Sequence, residues 1–207
     1  MIRYLFADAL ASYPLLRDSM FADRKAQFAD RLGWSVTVAD GAERDAYDAQ
    51  DPLYVIWQRR DGRHGGSLRF LPSTGRTMLT EHFVDLAPPG WRGPGVWECT
   101  RFCLAPGAPA RVAPALLLGA LEMGLALDWT ASVGVFDARM ERVYRRLGWP
   151  VTVTGRRGRG RAALCAGQWR FDPGRRAALI ARAGVSGEVA RHWVRRGFGL
   201  EKLVLAA

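Results

Sequence analysis

The sequence predicts an α/β fold of the mixed α+β kind, a sheet faced by helices, on three observations. Short β-rich runs recur along the chain, helical spacings separate them, and one helical stretch is apolar nearly all round. A helix of that last kind has no face to give to water, so other elements must cover it. With 207 residues, 49% hydrophobic and 24% charged, the chain has the size and composition of one packed core, and a single domain over residues 1–207 is expected.

The opening IRYLF reads as a strand, and from about Ser12 to Leu32 a helix is marked by Leu16, Met20, Phe28 and Leu32, with Gly33 as its stop. An acidic loop from Glu43 to Asp51 leads through Pro52 into LYVIWQRR. The return strand SLRFLP follows a turn, DGRHGG, so the pair reads as a hairpin. After the Pro/Gly-rich APPGWRGPG, VWECTRFCL is another strand, and the apolar helix occupies Arg111 to Asp128, beginning near Pro114. TASVGVF reads as a buried strand. Met140, Val143, Tyr144 and Leu147 then mark a helix that Gly148 closes. Two short strands, around 151–154 and 162–169, precede a helix starting near Pro173.

The formal charge of +10 implies attraction to something acidic, but charge alone does not choose between nucleic acid, an anionic membrane and an acidic protein. Its densest segment is GRRGRGR, with Arg156, Arg157, Arg159 and Arg161; Arg175, Arg176, Arg191, Arg195 and Arg196 follow. These are either a solvated loop and helix faces or a docking surface. The N-terminus has no cleavage site after a basic start, and the longest apolar stretch, Ala113 to Leu127, contains Glu122 and is shorter than the roughly 20 residues a bilayer span needs. A cytoplasmic protein without stable membrane insertion is expected. Cys99, Cys103 and Cys165 form no Cys-x-x-Cys pair, and Cys99 and Cys103 share a strand face only if their spacing stays regular. His64, His82 and His192 are scattered, so neither a disulfide framework nor a metal is expected.

Charged and aromatic residues concentrate in the first half in a fixed order. Arg24 and Phe28 precede Trp34; Glu43, Asp45, Tyr47 and Asp48 follow; then come the run Gly66–Pro72 around Arg69, Met78, Leu79 and Phe83, and finally Trp97, Glu98, Thr100, Arg101 and Phe102. On these motifs the chain resembles the LuxI-type acyl-homoserine lactone synthases over roughly residues 20–150. Met140–Arg142 and Leu147–Trp149 also resemble the family's later helix and turn, whereas the C-terminal third resembles it least and contributes no functional residue.

The resemblance implies a GNAT-like fold with a mixed, mostly antiparallel sheet flanked by helices. It also implies transfer of an acyl group from acyl-acyl carrier protein, or acyl-CoA, to the amine of S-adenosylmethionine. Lactonisation with release of methylthioadenosine then yields a quorum-sensing signal. S-adenosylmethionine is a substrate, and no cofactor is expected.

That substrate brings a sulfonium, an ammonium, a carboxylate and an adenine. Phe28 and Trp34 are candidates for aromatic walls, with Phe83 near the reacting groups, and Asp45 and Asp48 for the cationic side. Arg24, Arg69 and Arg101 either pair with the substrate carboxylate or hold the acidic residues in place. A buried salt-bridge cluster of Asp45, Asp48, Arg69 and Arg101 that only shapes the pocket is the bland alternative. Acylation needs a general base, for which Glu98 beside Arg101 is the first candidate and Asp45 the second. A backbone amide between Glu98 and Leu104 can face the oxyanion, and the loop PGAPAR can cradle the phosphopantetheine phosphate. Two other readings stand beside this one: an acyl-CoA-dependent GNAT enzyme acting on another amine, and a nucleic-acid-binding module using GRRGRGR. The latter lacks a recognised motif, so no nucleic-acid partner is expected.

Overall fold

The computed structural model describes residues 1–200. Strand β1 (Ile2–Phe6) leads through a short helix α1 (Ala7–Leu10) into α2 (Pro14–Lys25), which has proline in its first turn. The helix expected from about Ser12 continues, but as a π-helical turn over Ala26–Arg31, and Gly33 ends it at φ +65°. Just before the expected acidic loop, β2 (Val38–Ala39) and β3 (Ala42–Glu43) form a small hairpin, and the loop itself contains a 3₁₀ turn, Ala46–Ala49.

Strands β4 (Leu53–Gln58) and β5 (His64–Pro72) are the expected hairpin with a shorter turn. His64, Gly65 and Gly66 already belong to β5. The glycines serve close packing there: a Cβ on Gly66 would lie 2.9 Å from both Leu104 and Leu116. After α3 (Met78–His82) come β6 (Val96–Leu104) and α4 (Val112–Ala126), then β7 (Ala131–Asp137) and α5 (Met140–Leu147). Strands β8 (Thr152–Arg157) and β9 (Leu164–Arg170) precede α6 (Arg176–Ala183) and α7 (Gly187–Phe198). Arg156 and Arg157 are therefore strand residues, which corrects the reading of GRRGRGR as a loop. Helix α7 was not expected; Ser186 starts it by accepting a hydrogen bond from the Val189 amide.

Seven strands form one sheet in the order β1-β4-β5-β6-β7-β9-β8, antiparallel throughout except for β6–β7. This is the mixed, mostly antiparallel sheet flanked by helices that the sequence implied. Helix α4 buries thirteen of its fifteen residues against strands β1, β4 and β5 on one side and α6 and α7 on the other, as its all-round apolar sequence requires. Helix α2 covers the opposite face over β3, β5 and β6.

Two irregularities in β6 shape that second face. Its parallel ladder with β7 pairs only Val96–Glu98 with Ala131–Val133. Its ladder with β5 slips between the pairs Arg69–Thr100 and Ser67–Cys103, a bulge at which Arg101 takes φ +52°. The slip turns Cys99 and Cys103 to opposite faces, so their spacing of four does not align them.

Gly124 on α4 tests the packing. Alanine in a helix interior is normally favoured over glycine by about 1 kcal/mol. Here a Cβ would sit 2.2 Å from the ring of Phe171, and overpacking costs roughly 1–3 kcal/mol. Gly124→Ala is expected to lower Tm in thermal denaturation; an unchanged or raised Tm would mean that the ring yields freely.

Candidate active site

Six charged side chains from five elements meet under α2. Arg24 comes from the last turn of α2, Glu43 from β3, Asp45 and Asp48 from the 3₁₀ turn, Arg69 from β5 and Arg101 from the bulge of β6. The turn is locally self-organising: Asp45 accepts from the Tyr47 amide at 2.9 Å, and Asp48 accepts from the Asp45 amide at 2.9 Å.

The ion pairs are multiple and mostly buried. Arg24 donates through Nε to Glu43 at 2.6 Å and through both terminal nitrogens to Asp48 at 2.8 and 2.9 Å. Arg69 grips Asp45 at 2.5 and 2.9 Å, reaches Asp48 at 2.6 Å and donates through Nε to Thr100 Oγ1 at 2.9 Å. Arg101 bridges Glu43 at 3.0 Å and Asp45 at 2.7 Å. Arg24, Arg69 and Glu43 are wholly buried, while the side chains of Arg101 and Asp48 each keep 8% of their exposure and Asp45 keeps 16%, so the cluster is most open at Asp45.

Burial alone would push these carboxyls up, but the arginines outweigh it. Hydrogen bonds from Arg69 and the charges of Arg69 and Arg101 hold Asp45 below the usual carboxylate range, and Arg24 and Arg69 hold Asp48 well below it. Burial disfavours the charge on Arg24 too, yet its bonds to Asp48 and Glu43 carry its pKa above the ordinary arginine value. Asp45, Asp48, Arg24 and Arg69 are thus held in their charged forms at neutral pH.

Phe28 and Trp34 stand beside this cluster as a stacked pair, with centroids 5.2 Å apart and planes at 16°. The Trp34 amide donates to the Phe28 carbonyl at 2.9 Å, so the π-helical turn and its exit hold the stack together. Phe28 is buried with the Arg101 guanidinium 5.4 Å from its ring, and Trp34 is 40% exposed. Phe83 does not join the stack. It packs with Leu79, Leu86, Val133 and Ala166, and the Arg157 guanidinium lies 5.7 Å from its ring.

Glu98 is fully buried, and its neighbour Arg101 does not hold it, contrary to the sequence expectation, because the bulge turns that guanidinium towards Glu43 and Asp45. The backbone takes its place: Leu79 and Met78 donate their amides to the two carboxylate oxygens at 2.7 and 3.0 Å. Burial raises the carboxyl more than these amides lower it, leaving its pKa at about 7. Asp45 and Arg69 both act on it electrostatically, and Arg101 touches the sulfur of Met78 at 3.6 Å, which places Glu98 next to the ion cluster.

The structure thus gathers Arg24, Asp45, Asp48, Arg69 and Arg101, with Phe28, Trp34 and Glu98 adjoining, while Phe83 lies off the aromatic stack in the group that includes Leu79, whose amide holds Glu98. Sequence reasoning assigned no role to Glu43, although it lies two residues before Asp45, or to Tyr54, whose hydroxyl donates to Asp48 at 2.6 Å. Of the basic run, Arg156 pairs with Glu141 and Arg157 with Asp85. A depression of about 520 Å³ lies at the start of α4, lined among others by Trp57, Arg59, Arg60, Pro106, Pro109 and Arg111.

The autoinducer synthase family profile matches residues 10–166. The chain belongs to the autoinducer synthase family. An acyl-homoserine-lactone synthase of Rhizobium etli is 44% identical over 178 residues, covering 82% of this chain and 84% of the relative. Among solved structures, the CoA-dependent acyl-homoserine lactone synthase MesI matches with a TM-score of 0.78 at 25% identity, over 91% of this chain and 98% of its own. TofI, in a ternary complex with an inhibitor and MTA, matches with a TM-score of 0.64 at 28% identity, over 83% and 93%. The chain is accordingly an acyl-transferring enzyme, an acyl-homoserine-lactone synthase. Among the described residues no helix is long and apolar enough to cross a membrane.

Removing one member of the cluster leaves its partners charged and buried. Glu43→Ala leaves Arg24 paired with Asp48 alone and Arg101 with Asp45 alone, and is expected to destabilise the fold in urea unfolding by up to about 3–5 kcal/mol. Titration separates the carboxyls. Asp45 and Asp48, depressed in the fold, contribute stability above their unfolded value of about 4 and lose it as pH falls further. Glu98, raised to about 7, acts oppositely and withdraws stability as pH rises from about 4 towards 7. Urea midpoints across pH are therefore expected to fall more gently on the acid side in Asp48→Asn.

Proposed function

We propose that this synthase acylates the α-amine of S-adenosylmethionine from a coenzyme A thioester and then lactonises the product, with Glu98 as the general base. The observation that carries the reading is Glu98 itself: a buried carboxylate fixed by two backbone amides, with a pKa of about 7, beside an ionised cluster that opens at an aromatic stack. A base poised near neutrality accepts a proton without being held permanently protonated.

Trp34 and Phe28 face the adenine and sulfonium, using a ring surface that is partly free on Trp34. At the open end of the cluster, Asp45 holds the ammonium and Arg101 the substrate carboxylate. Arg24 and Arg69 donate to internal carboxylates and act as positioning residues. In the first step Glu98 takes the proton of the substrate ammonium, directly or through water. The freed amine lone pair attacks the thioester carbonyl, and the thiolate leaves. In the second, the carboxylate oxygen of the same methionine unit attacks its own γ-carbon and expels methylthioadenosine, an intramolecular step favoured by holding both ends of that unit in one cleft. The MTA in the TofI complex is the product this step would release.

The depression before α4 supports the choice of donor. Arg59, Arg60 and Arg111 are cations suited to the phosphates of coenzyme A, the N-terminus of α4 opens onto it, and MesI is described as CoA-dependent. An acyl carrier protein presents the same phosphopantetheine arm and is the alternative donor.

Mass spectrometry of the products from purified protein, S-adenosylmethionine and an acyl-CoA tests the activity: an acyl-homoserine lactone with one equivalent of methylthioadenosine is expected. Glu98→Gln, whose single amide oxygen can accept only one of the two backbone N–H groups, is expected to stay folded with a lowered Tm and to lose roughly 10²–10⁴ in kcat. Full turnover in that variant would remove Glu98 from the mechanism. In the parent the acid limb of the kcat profile falls below a pH of about 7. Arg59→Ala with Arg111→Ala is expected to raise KM for acyl-CoA and leave KM for S-adenosylmethionine unchanged; equal KM values before and after would move the donor site elsewhere.

A further inference from the structure

Helix α3 has five residues, too few to hold their shape without outside support. Its own devices fix only its start: Thr77 Oγ1 accepts from the Thr80 amide at 3.2 Å, and Thr80 Oγ1 accepts from the Thr77 amide at 3.0 Å. The first two amides of this helix are the ones that hold Glu98. Where α3 sits therefore decides where that carboxylate is aimed.

A side-chain bond ties α3 to the ion cluster. Tyr47, between Asp45 and Asp48 in the 3₁₀ turn, donates its hydroxyl to Glu81 of α3 at 2.7 Å. The Tyr47 ring is buried, with the Arg69 guanidinium 5.6 Å and the Arg76 guanidinium 5.9 Å from its centroid. Arg69 also grips Asp45, so the ring is braced by the cation that fixes the turn. Glu81 is exposed and has Arg76 as an ion partner, so it does not need Tyr47 to be satisfied. Hydrogen bonds from Arg76 and Tyr47 hold its carboxyl down at about 2, and the acceptor stays ionised near neutral pH. A single bond at so open a site adds little to stability; what it supplies is a fixed distance. The acid turn is already held by Arg24, Arg69 and Arg101, so α3 is the element that this bond places.

We propose that Tyr47 and Glu81 are positioning residues for the acylation step: their bond sets the separation between Asp45, which holds the substrate ammonium, and Glu98, which takes its proton. The proposal rests on the reading of Glu98 as the base. A misplacement of about 1 Å can cost up to about 10²-fold in rate. Without the bond α3 shifts about its buried Leu79, and the Met78 and Leu79 amides lose their alignment. Those amides offset the burial of Glu98, so the carboxyl then keeps its proton to higher pH.

The test is steady-state kinetics of the full chain with S-adenosylmethionine and an acyl-CoA. Tyr47→Phe keeps the ring and removes the hydroxyl, and Glu81→Ala removes the acceptor. Each is expected to lower kcat by about tenfold, leave KM for S-adenosylmethionine within about twofold, and move the acid limb of the kcat profile to higher pH. A residue that only supported the fold would not move that limb. Glu81→Gln retains an acceptor oxygen and is expected to recover most of the lost turnover. Tyr47→Phe combined with Glu81→Ala is expected to be no slower than either alone, since both remove one bond. Because Glu81 is exposed, Glu81→Ala carries the test if Tyr47→Phe does not fold. Parental kcat in the single variants, an acid limb that stays in place, losses that multiply in the double variant, or Glu81→Gln as slow as Glu81→Ala overturns the proposal. Glu98→Gln, measured beside them, separates the two readings. If it turns over fully, the base is lost and this proposal with it; if it is slow while Tyr47→Phe and Glu81→Ala run at the parental rate, only the positioning role is lost.

Discussion

Three arginine guanidiniums beneath α2 must be neutralised where almost no water reaches, and the first half of the molecule is arranged around that requirement. Taking an ion from water into a protein interior costs several kcal/mol even after relaxation, and only multiple, well-aimed partners offset it. The partners come from a two-stranded hairpin and a 3₁₀ turn that have little apolar surface of their own. Arg24, Arg69 and Arg101 dock these elements against α2, β5 and β6 by charge where larger elements dock by burial.

The sheet contributes through its defects. Where β6 stops pairing with β7, Phe102 of one strand and Phe136 of the other both pack against Tyr144. Where β6 bulges against β5, Arg101 leaves the strand alternation and reaches the cluster. A non-glycine residue in the left-handed region stores backbone strain, and the ion pairs Arg101 makes with Glu43 and Asp45 are what hold it there.

Much of this was legible in the sequence. Helix α4 announces itself because an apolar face all round has one physical outcome, and α5 is marked by its spacing and by Gly148, at φ +100°, closing it. The order of charged and aromatic residues located the cluster. What stayed hidden depends on register and packing. Glu43 looked like one more acid in an acidic loop until β3 pointed it inward. Glu98 and Arg101 seemed partners because they are near in sequence, and a bulge separates them. Gly65 and Gly66 imitated a turn, since sequence alone does not distinguish a glycine needed for its backbone freedom from one needed for its lack of side chain.

The charged cluster draws every member from residues 24 to 101, whereas the aromatic cluster of Phe102, Phe136, Tyr144 and Trp169 takes three of its four rings from residues 136 to 169. Two tightly packed groups are thereby encoded in separate stretches of the chain. Substitutions in distant, non-touching groups combine almost additively. A lineage can therefore vary the ring packing of the later stretch while the salt-bridged group of the earlier stretch stays as it is.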